Sequence, residues 1–410
     1  MSDGAFDIAE STPPKTTQIR CLSDLVDFLD AWRALAGDSP MQSPEWFISW
    51  WQFYAERDDE LSVLLFHEPG GLLIGLAPLY IRIVGKRRTI CLLGSGEAST
   101  NHTTWLAAAG WENRVSKAAA QFLLTLKPDW NCVQFDSVDA DDISINATVT
   151  CLLEKGCLAL RKPLHNCWKI ALPATWEEYL LMLSRLQRKR CRKLQRYFES
   201  GLVRVHTVTN RAEFHRGFEI LLHLHGTRWG EPDKPLGCFS DQQFRAFHET
   251  VALELLKRNQ LLLIWLEYDG KPIAVEYQFI DKKTVYSYLA GMDPSVTDIP
   301  PGNLAMVASL QIAITNGCES FDLSRGDQPY KAHWRATPTA SYEIRIWPDH
   351  LSGRVEQTMW GMYNLAESGK KRAIQWIKER VPPLFIDVWR QLHSALTGKR
   401  RGPRKVGSST

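Results

Sequence analysis

Two carboxylates, two cations, a phenol, an imidazole and an indole fall within fourteen residues between Phe321 and Trp334. A short apolar strand signal, Phe321 to Leu323, runs into a turn built on Gly326, Asp327 and Pro329, which then presents Tyr330, Lys331, His333 and Trp334. Groups held at a strand end on a rigid scaffold are a common arrangement for binding and catalysis. An ordinary polar turn has the same composition, so the stretch alone does not decide. No Gly-x-Ser-x-Gly and no His-Glu-x-x-His occurs, so no nucleophile–base or metalloprotease motif is on offer. The chemistry this leaves is positioning, oxyanion-type stabilisation and one general base.

Glu276 is a candidate for that base. Alternation along Ile273–Phe279 sets Glu276 on one face with Ala274 and Gln278, opposite Val275, Tyr277 and Phe279. Burial there would raise its pKa toward a useful value, although a solvent-facing glutamate fits the pattern equally well. His223, His225 and Arg228 share a helix read over Phe214–Arg228, where each histidine reads as packed or surface.

The elements that position these groups repeat. In the first half, strands read over Leu61–Phe66, Leu72–Val84 and Arg88–Leu93 precede a helix over Asn113–Leu126 and a strand over Cys132–Asp136. In the second half, strands over Leu261–Glu267, Pro272–Ile280 and Thr284–Ala290 precede a helix over Gly302–Asn316 and the strand at Phe321. Asp269-Gly270 marks a hairpin turn, and Gly317 takes the position after a helix end that favours a left-handed residue. Phe135-Asp136-Ser137 through Asp141 parallels Phe321-Asp322-Leu323 through Asp327. A duplicated β-β-β-α-β unit follows, one copy per half. Pro300-Pro301-Gly302-Asn303 opens the second helix, where free N–H groups could hold an anion or the glycine could simply start a helix.

Between the halves, a helix read over Leu180–Tyr197 carries Arg185, Arg188, Lys189, Arg190, Arg192, Lys193 and Arg196 with no acidic residue among them. Such a run is usually a solvated face; uncompensated, it also suits an anionic partner such as CoA, a nucleotide-sugar, a lipid phosphate or RNA. The whole chain of 410 residues is 44% hydrophobic and 23% charged with net charge +3, so any electrostatic function must be local and no DNA partner is expected. Nine scattered cysteines form no C-x-x-C pair, which suggests no metal and no disulfide framework and fits a reducing cytoplasm. The polar start lacks a secretory signal, and no apolar run reaches the ~18 residues that span a bilayer.

Pro301-Gly302-Asn303-Leu304, Phe321-Asp322-Leu323 and Gly326-Asp327-Gln328-Pro329-Tyr330-Lys331 together resemble the BioF2-like, CelD-type acetyltransferases of the GNAT superfamily. The basic helix, the Glu276 strand and Tyr288-Leu289-Ala290-Gly291-Met292-Asp293 fit the same pattern over about residues 170–335. Ser43-Pro44-Glu45-Trp46-Phe47 and Ala77-Pro78-Leu79 look like that family's N-terminal segments. The resemblance implies an α/β fold of mixed sheets in two tandem GNAT-like lobes, as in FemAB transferases. It implies acyl transfer from acetyl-CoA or another acyl-CoA to an amine of a sugar or cell-envelope precursor. Gly326, Asp327, Tyr330 and Lys331 are its hallmark. The Gln/Arg-x-x-Gly-x-Gly/Ala pyrophosphate signature is absent before Gly302, which leaves CoA and aminoacyl-tRNA open as donors; tRNA enters only with the second. A non-catalytic component of a polysaccharide synthesis system is the third reading.

On this basis Gly302, Asn303, Arg190, Lys193 and Lys331 are expected on phosphates, and Tyr330 or Tyr288 as a positioning or protonating group. Asp327, Asp322 or Glu276 would orient or deprotonate the amine. The expected layout is a disordered lead (1–18), a first GNAT-like lobe (19–165), a second (166–350), amphipathic C-terminal helices (351–397) and a basic disordered tail (398–410).

Overall fold

The duplication predicted from sequence sets the architecture. A computed structural model of the chain describes residues 13–37, 39–126 and 129–380. The first lobe starts with β1 (Lys15–Ile19), which begins within the stretch expected as an unstructured lead, then α1 (Leu29–Leu35) and α2 (Pro44–Tyr54). Ser43 caps α2 by accepting from the Trp46 N–H, and Pro44 takes the first position, where its missing N–H costs nothing. β2 (Glu60–Leu61), β3 (Val63–His67), β4 (Leu73–Ala77), β5 (Leu79–Val84), β6 (Arg87–Leu92) and β7 (Leu106–Ala107) follow, then α3 (Glu112–Thr125) and β8 (Cys132–Asp139). The single strand expected over Leu72–Val84 is broken at Pro78, which cannot donate to a central ladder. Its halves join different sheets: β1-β3-β4-β7 and β2-β5-β6-β8, the latter continued by two further strands.

After α4 (Ile143–Glu154) and β9 (Cys157–Pro163), the chain enters the second lobe as β10 (Cys167–Ala171). The helix expected over Leu180–Tyr197 is two helices, α5 (Trp176–Met182) and α6 (Arg185–Glu199), because Ser184 leaves helical geometry to cap the Gln187 N–H. Then come β11 (Val203–Thr207), α7 (Arg211–Trp229), α8 (Gln242–Lys257), β12 (Leu261–Tyr268), β13 (Lys271–Ile280) and β14 (Thr284–Met292). Asp269 and Gly270, both at positive φ, make the tight β12–β13 turn, with Tyr268 paired to Lys271. The crossover helix α9 (Pro301–Thr315) ends in a Schellman motif: the Gly317 N–H reaches the Ile314 carbonyl and the Cys318 N–H that of Ala313. It delivers the chain to β15 (Ser320–Arg325), parallel to β14.

The two copies agree in detail. β6 pairs parallel with β8 (Ile90 with Val133) as β14 does with β15 (Val285 with Phe321). Each returning strand also carries a serine at positive φ near its aspartate, Ser137 one residue after Asp136 and Ser324 two after Asp322.

Strand pairing crosses the expected division between the lobes. After α10 (Tyr330–His333), β16 (Thr337–Thr339) pairs with β10 at the edge of the second lobe's sheet, but β17 (Ser341–Pro348) inserts between β8 and β9 of the first. One ribbon therefore feeds both sheets. The lobes also share a core: Trp46 of α2 packs edge-on against Phe247 and Phe279, 5.2 and 5.4 Å between ring centres. Trp50 is buried in it and Trp51 half-buried.

These elements, through Gly353, form one compact unit, and the chain from Arg354 a second. The helix α11 (Leu351–Arg380) runs into the latter, within the span expected to hold C-terminal helices; residues 381–397 of that span and the basic tail lie outside the described residues. No described helix is long and apolar enough to cross a membrane.

Candidate active site

β14 and β15 hold the ladder for three pairs, Thr284–Ser320 to Tyr286–Asp322, and beyond them β14 runs on to Met292 and β15 to Arg325. Into this divergence opens a cavity of about 790 Å³, lined by Ser287–Ala290, Leu323–Arg325, Tyr330 and Lys331, and from the first lobe by Glu97, Ser99 and Asn101. Asn101 also lines a second cavity of about 350 Å³, with His102, Asp139, Lys169, Tyr286 and Asp322 on its walls. The two cavities flank the contact between the lobes, where Arg325 Nε donates to Asn101 Oδ1 at 3.1 Å.

The Gly326–Lys331 turn is mostly architecture. Gly326 sits at φ 110°, a conformation that side chains disfavour. Asp327, exposed, accepts from Asn166 Nδ2 (2.8 Å) and Trp168 Nε1 (3.0 Å), tying the end of β15 to β10. Partial burial raises its pKa, but those donors outweigh it and hold the carboxyl below its usual value. Lys331 is 2% exposed, and its Nζ donates to the carbonyls of Leu323, Ser324 and Arg325 at 2.9, 3.0 and 2.9 Å. Burial pulls its ammonium down to about 8 while Asp322 acts against that shift. Three donors on three carbonyls leave Lys331 closing the strand end rather than reaching for a phosphate. Tyr330 is the exposed motif residue on the wall of the larger cavity, 46% open.

Glu276 is buried on the face read from sequence, beside Gln278, whose Nε2 reaches it at 3.4 Å and also donates to Ser309 of α9. Burial pushes its carboxyl up to about 8. It lines neither cavity but lies close enough to Tyr330 to raise that phenol's pKa, after burial itself. Tyr288 lines the larger cavity, donates to the Ala98 carbonyl of the first lobe, and meets His248 Nε2 at 3.2 Å. His248 is fully buried, and burial lowers its pKa to about 3, so it is neutral.

Asp322 is buried on the smaller cavity with a partner from the other lobe. His102, at φ 56° on the loop after β6, places Nδ1 2.6 Å from Asp139 and Nε2 2.8 Å from Asp322. Burial works against a proton on this ring, but the two carboxylates outweigh it and push the imidazole up to about 10. With an acceptor on each nitrogen, both must carry hydrogen, so His102 is an imidazolium bridging the lobes. The sequence reading singled out Asp136 and Asp141; it is Asp139 that meets this bridge, and His102 went unread. His102, Asp139 and Cys167 also bring potential ligand atoms within 4.8 Å of one another, although His102 is already held on both sides.

The expected phosphate groups are spread more thinly. At the start of α9, Pro301 has no N–H, and those of Asn303 and Leu304 go to the Pro300 carbonyl (3.2 and 3.1 Å), which leaves Gly302. On α6, Cys191 and Leu194 are buried, while Arg190 and Lys193 are exposed. Arg188 is not free: it donates to the carbonyls of Leu180, Leu181 and Leu183 and closes the α5–α6 turn.

Residues 185–332 match the family model of the acetyltransferase (GNAT) domain, which covers the basic helix, the diverging strands and the hallmark turn. The second lobe is thus GNAT-like, and the first repeats its parallel strand pair joined by a crossover helix. Among solved structures, FemX is similar at 10% identity and TM-score 0.59, over 84% of this chain and 99% of that one. A conserved protein of unknown function from Bacteroides thetaiotaomicron VPI-5482 is similar at 10% identity and TM-score 0.52, over 81% and 100%. A tandem GNAT protein from the clavulanic acid biosynthesis pathway matches at 11% identity and TM-score 0.42, over 81% and 98%. No curated protein sequence matches the chain. The GNAT assignment supports an acyltransferase, and the substrate is open.

Proposed function

We propose that this chain is an N-acyltransferase that takes an acyl group from acetyl-CoA or another acyl-CoA and delivers it to an amine of a sugar or cell-envelope precursor. The observation that carries the reading is the divergence of β14 and β15 into a large cavity. The edge of β14 left by β15 can continue its ladder with an extended amide chain, which is what the acyl-carrying arm of CoA is. The BioF2-like, CelD-type pattern of Gly326, Asp327, Tyr330 and Lys331 supports the same class. Tyr330, with Tyr288 across the cavity, orients the reactants or returns a proton to the leaving thiolate. Glu276 is the base, reached through Tyr330 or water. Gly302 and Asn303 at the start of α9, and Arg190 and Lys193 on α6, meet the donor's phosphates. The first lobe supplies the acceptor side of the cleft.

A second reading, a FemAB-like transfer from aminoacyl-tRNA, is favoured by the exposed and largely uncompensated cations of α6. Calorimetry with acetyl-CoA, longer acyl-CoAs, UDP-amino sugars and aminoacyl-tRNA separates the two. Acyl-CoA binding alone supports the first; tRNA binding that weakens steeply with salt supports the second. For the productive pair, the rate should rise with pH through about 8, because Glu276 must lose its proton to act. Glu276→Gln should remove that limb while leaving unfolding by urea unchanged or slightly harder, since a buried carboxylate is removed. A rising limb that persists in Glu276→Gln would place the base elsewhere.

A further inference from the structure

α6 lines neither cavity, yet it holds seven cations between Arg185 and Arg196. Cys191 and Leu194 are buried and fix its packed side. Arg185, Lys189, Arg192 and Arg196 recur at i, i+4, i+7 and i+11, which at ~100° per residue gathers them within about 60° on the side opposite the buried pair. All four are exposed, and among the described residues the one carboxylate that meets them is Glu177, 3.3 Å from Arg192. The same end of the helix bares hydrocarbon. Leu186 is 80% exposed and Leu181, just before the turn from α5, is 64% exposed, with Met182 also open. The turn that carries them is pinned: Arg188 donates to the carbonyls of Leu180, Leu181 and Leu183, and the side chains of Leu180 and Leu183 are buried. Single exposed leucines are ordinary on a surface. Three large apolar side chains within six residues, beside a stripe of largely uncompensated cations, are a patch.

We propose that this face docks on an anionic lipid surface. Leu181, Met182 and Leu186 enter the boundary between headgroups and acyl chains, while Arg185, Lys189, Arg192 and Arg196 meet the lipid phosphates. The combination selects this partner. A cationic stripe alone would suit a nucleic acid equally well, but a phosphate backbone gives bare leucines nothing to bury against. The interface of a bilayer takes both, apolar area into the acyl boundary and positive charge onto its surface potential. A second copy of this chain would instead set one cationic stripe against another, where like charges repel. No described helix is long and apolar enough to cross a membrane, so the contact is peripheral and reversible. The proposal is independent of the acyl-transfer reading: it uses no cavity residue, and it leaves Arg190 and Lys193, which stand to one side of the stripe, to the donor.

The test is co-sedimentation of the full chain with lipid vesicles, no acyl donor present. The chain should bind phosphatidylcholine vesicles containing about a third phosphatidylglycerol, and bind pure phosphatidylcholine roughly 10-fold or more weakly, with salt reducing the difference. Leu181→Ser/Leu186→Ser, which changes no charge, should weaken binding to the anionic vesicles by roughly 10-fold or more. Arg185→Gln/Lys189→Gln/Arg196→Gln should weaken it by roughly 10²-fold. Every substituted position is exposed, so both variants should fold, which circular dichroism verifies. No sedimentation with the anionic vesicles, or a leucine variant that binds them as the wild type does, would overturn the proposal. A parallel titration with tRNA covers the rival partner. Binding to tRNA that the charge variant loses and the leucine variant keeps, without vesicle binding, would assign the stripe to nucleic acid and sink lipid docking. Failure here leaves acyl transfer untouched, and a chain that binds no acyl-CoA would leave a positive vesicle result standing.

Discussion

Lys331 stands in the hallmark turn where a phosphate ligand is expected, yet all three of its donors end on main-chain carbonyls. A hydrogen bond to a charged group contributes about 1.5–3 kcal/mol, and a buried carbonyl left unpaired costs about 1–3 kcal/mol. Lys331→Met keeps the length of the side chain and removes all three bonds, so it should lower stability by about 2–4 kcal/mol, read from the urea midpoint. Tyr330→Phe, by contrast, removes a hydroxyl from an open site and should leave the midpoint in place while slowing turnover. A Lys331→Met protein of unchanged stability and weakened donor affinity would restore the phosphate role. At this scale the sequence was legible in residue type and blind to partner. Lys331 and Asp327 announce charge, but whether a charge faces a ligand or a carbonyl depends on where the chain returns. His102 gave no signal at all, since its two carboxylates lie 37 and 220 residues away.

Elements were legible where periodicity, a cap or a turn residue spoke for itself. Asp269-Gly270, Gly317 and the second half's β-β-β-α-β order behaved as read, because each is decided within a few residues, whereas in the first half Pro78 split one expected strand between two sheets. What went unread depends on long-range pairing. β10, β16 and β17 are short or partly polar and become strands only through the ribbon that links the sheets, and Ser184 decides a helix break that apolar spacing alone misses. Packing between elements carries its own consequence at Gly291. There β14 and α7 approach so closely that an added Cβ would lie 2.4 Å from the His225 backbone nitrogen and 2.6 Å from the Leu224 carbonyl carbon. Backbone cannot yield as a side-chain tip can. Gly291→Ala should therefore force α7 off the sheet and lower stability by about 1–3 kcal/mol. Gly302→Ala, by contrast, meets only Met292 Sδ at 3.3 Å and should be mild in urea titration.

At the largest scale, the unit through Gly353 is two lobes fastened by a shared aromatic core, a common ribbon and one half-buried charge, and the last of these responds to pH. His102 belongs to the first lobe, as does Asp139, while Asp322 belongs to the second, so only the protonated ring satisfies both carboxylates at once. The imidazole titrates near 10 in the folded chain and near 6.5 when unfolded, so folding favours the proton. The sign follows from linkage. Below about pH 6.5 both states are protonated and the full contribution is present; above that the folded state binds more protons than the unfolded one, and stability falls as pH rises toward about 10. Loss of the proton sets a lone pair against a carboxylate in a partly dry cleft, which loosens the bridge on the wall of the smaller cavity. Urea midpoints measured from pH 7 to 10 should decline for the wild type. His102→Gln, which can donate through only one nitrogen and carries no charge, should start lower and decline less. A variant curve parallel to the wild type's across that range would show that the His102 bridge does not carry the pH dependence, and that the lobes are held by their apolar core alone.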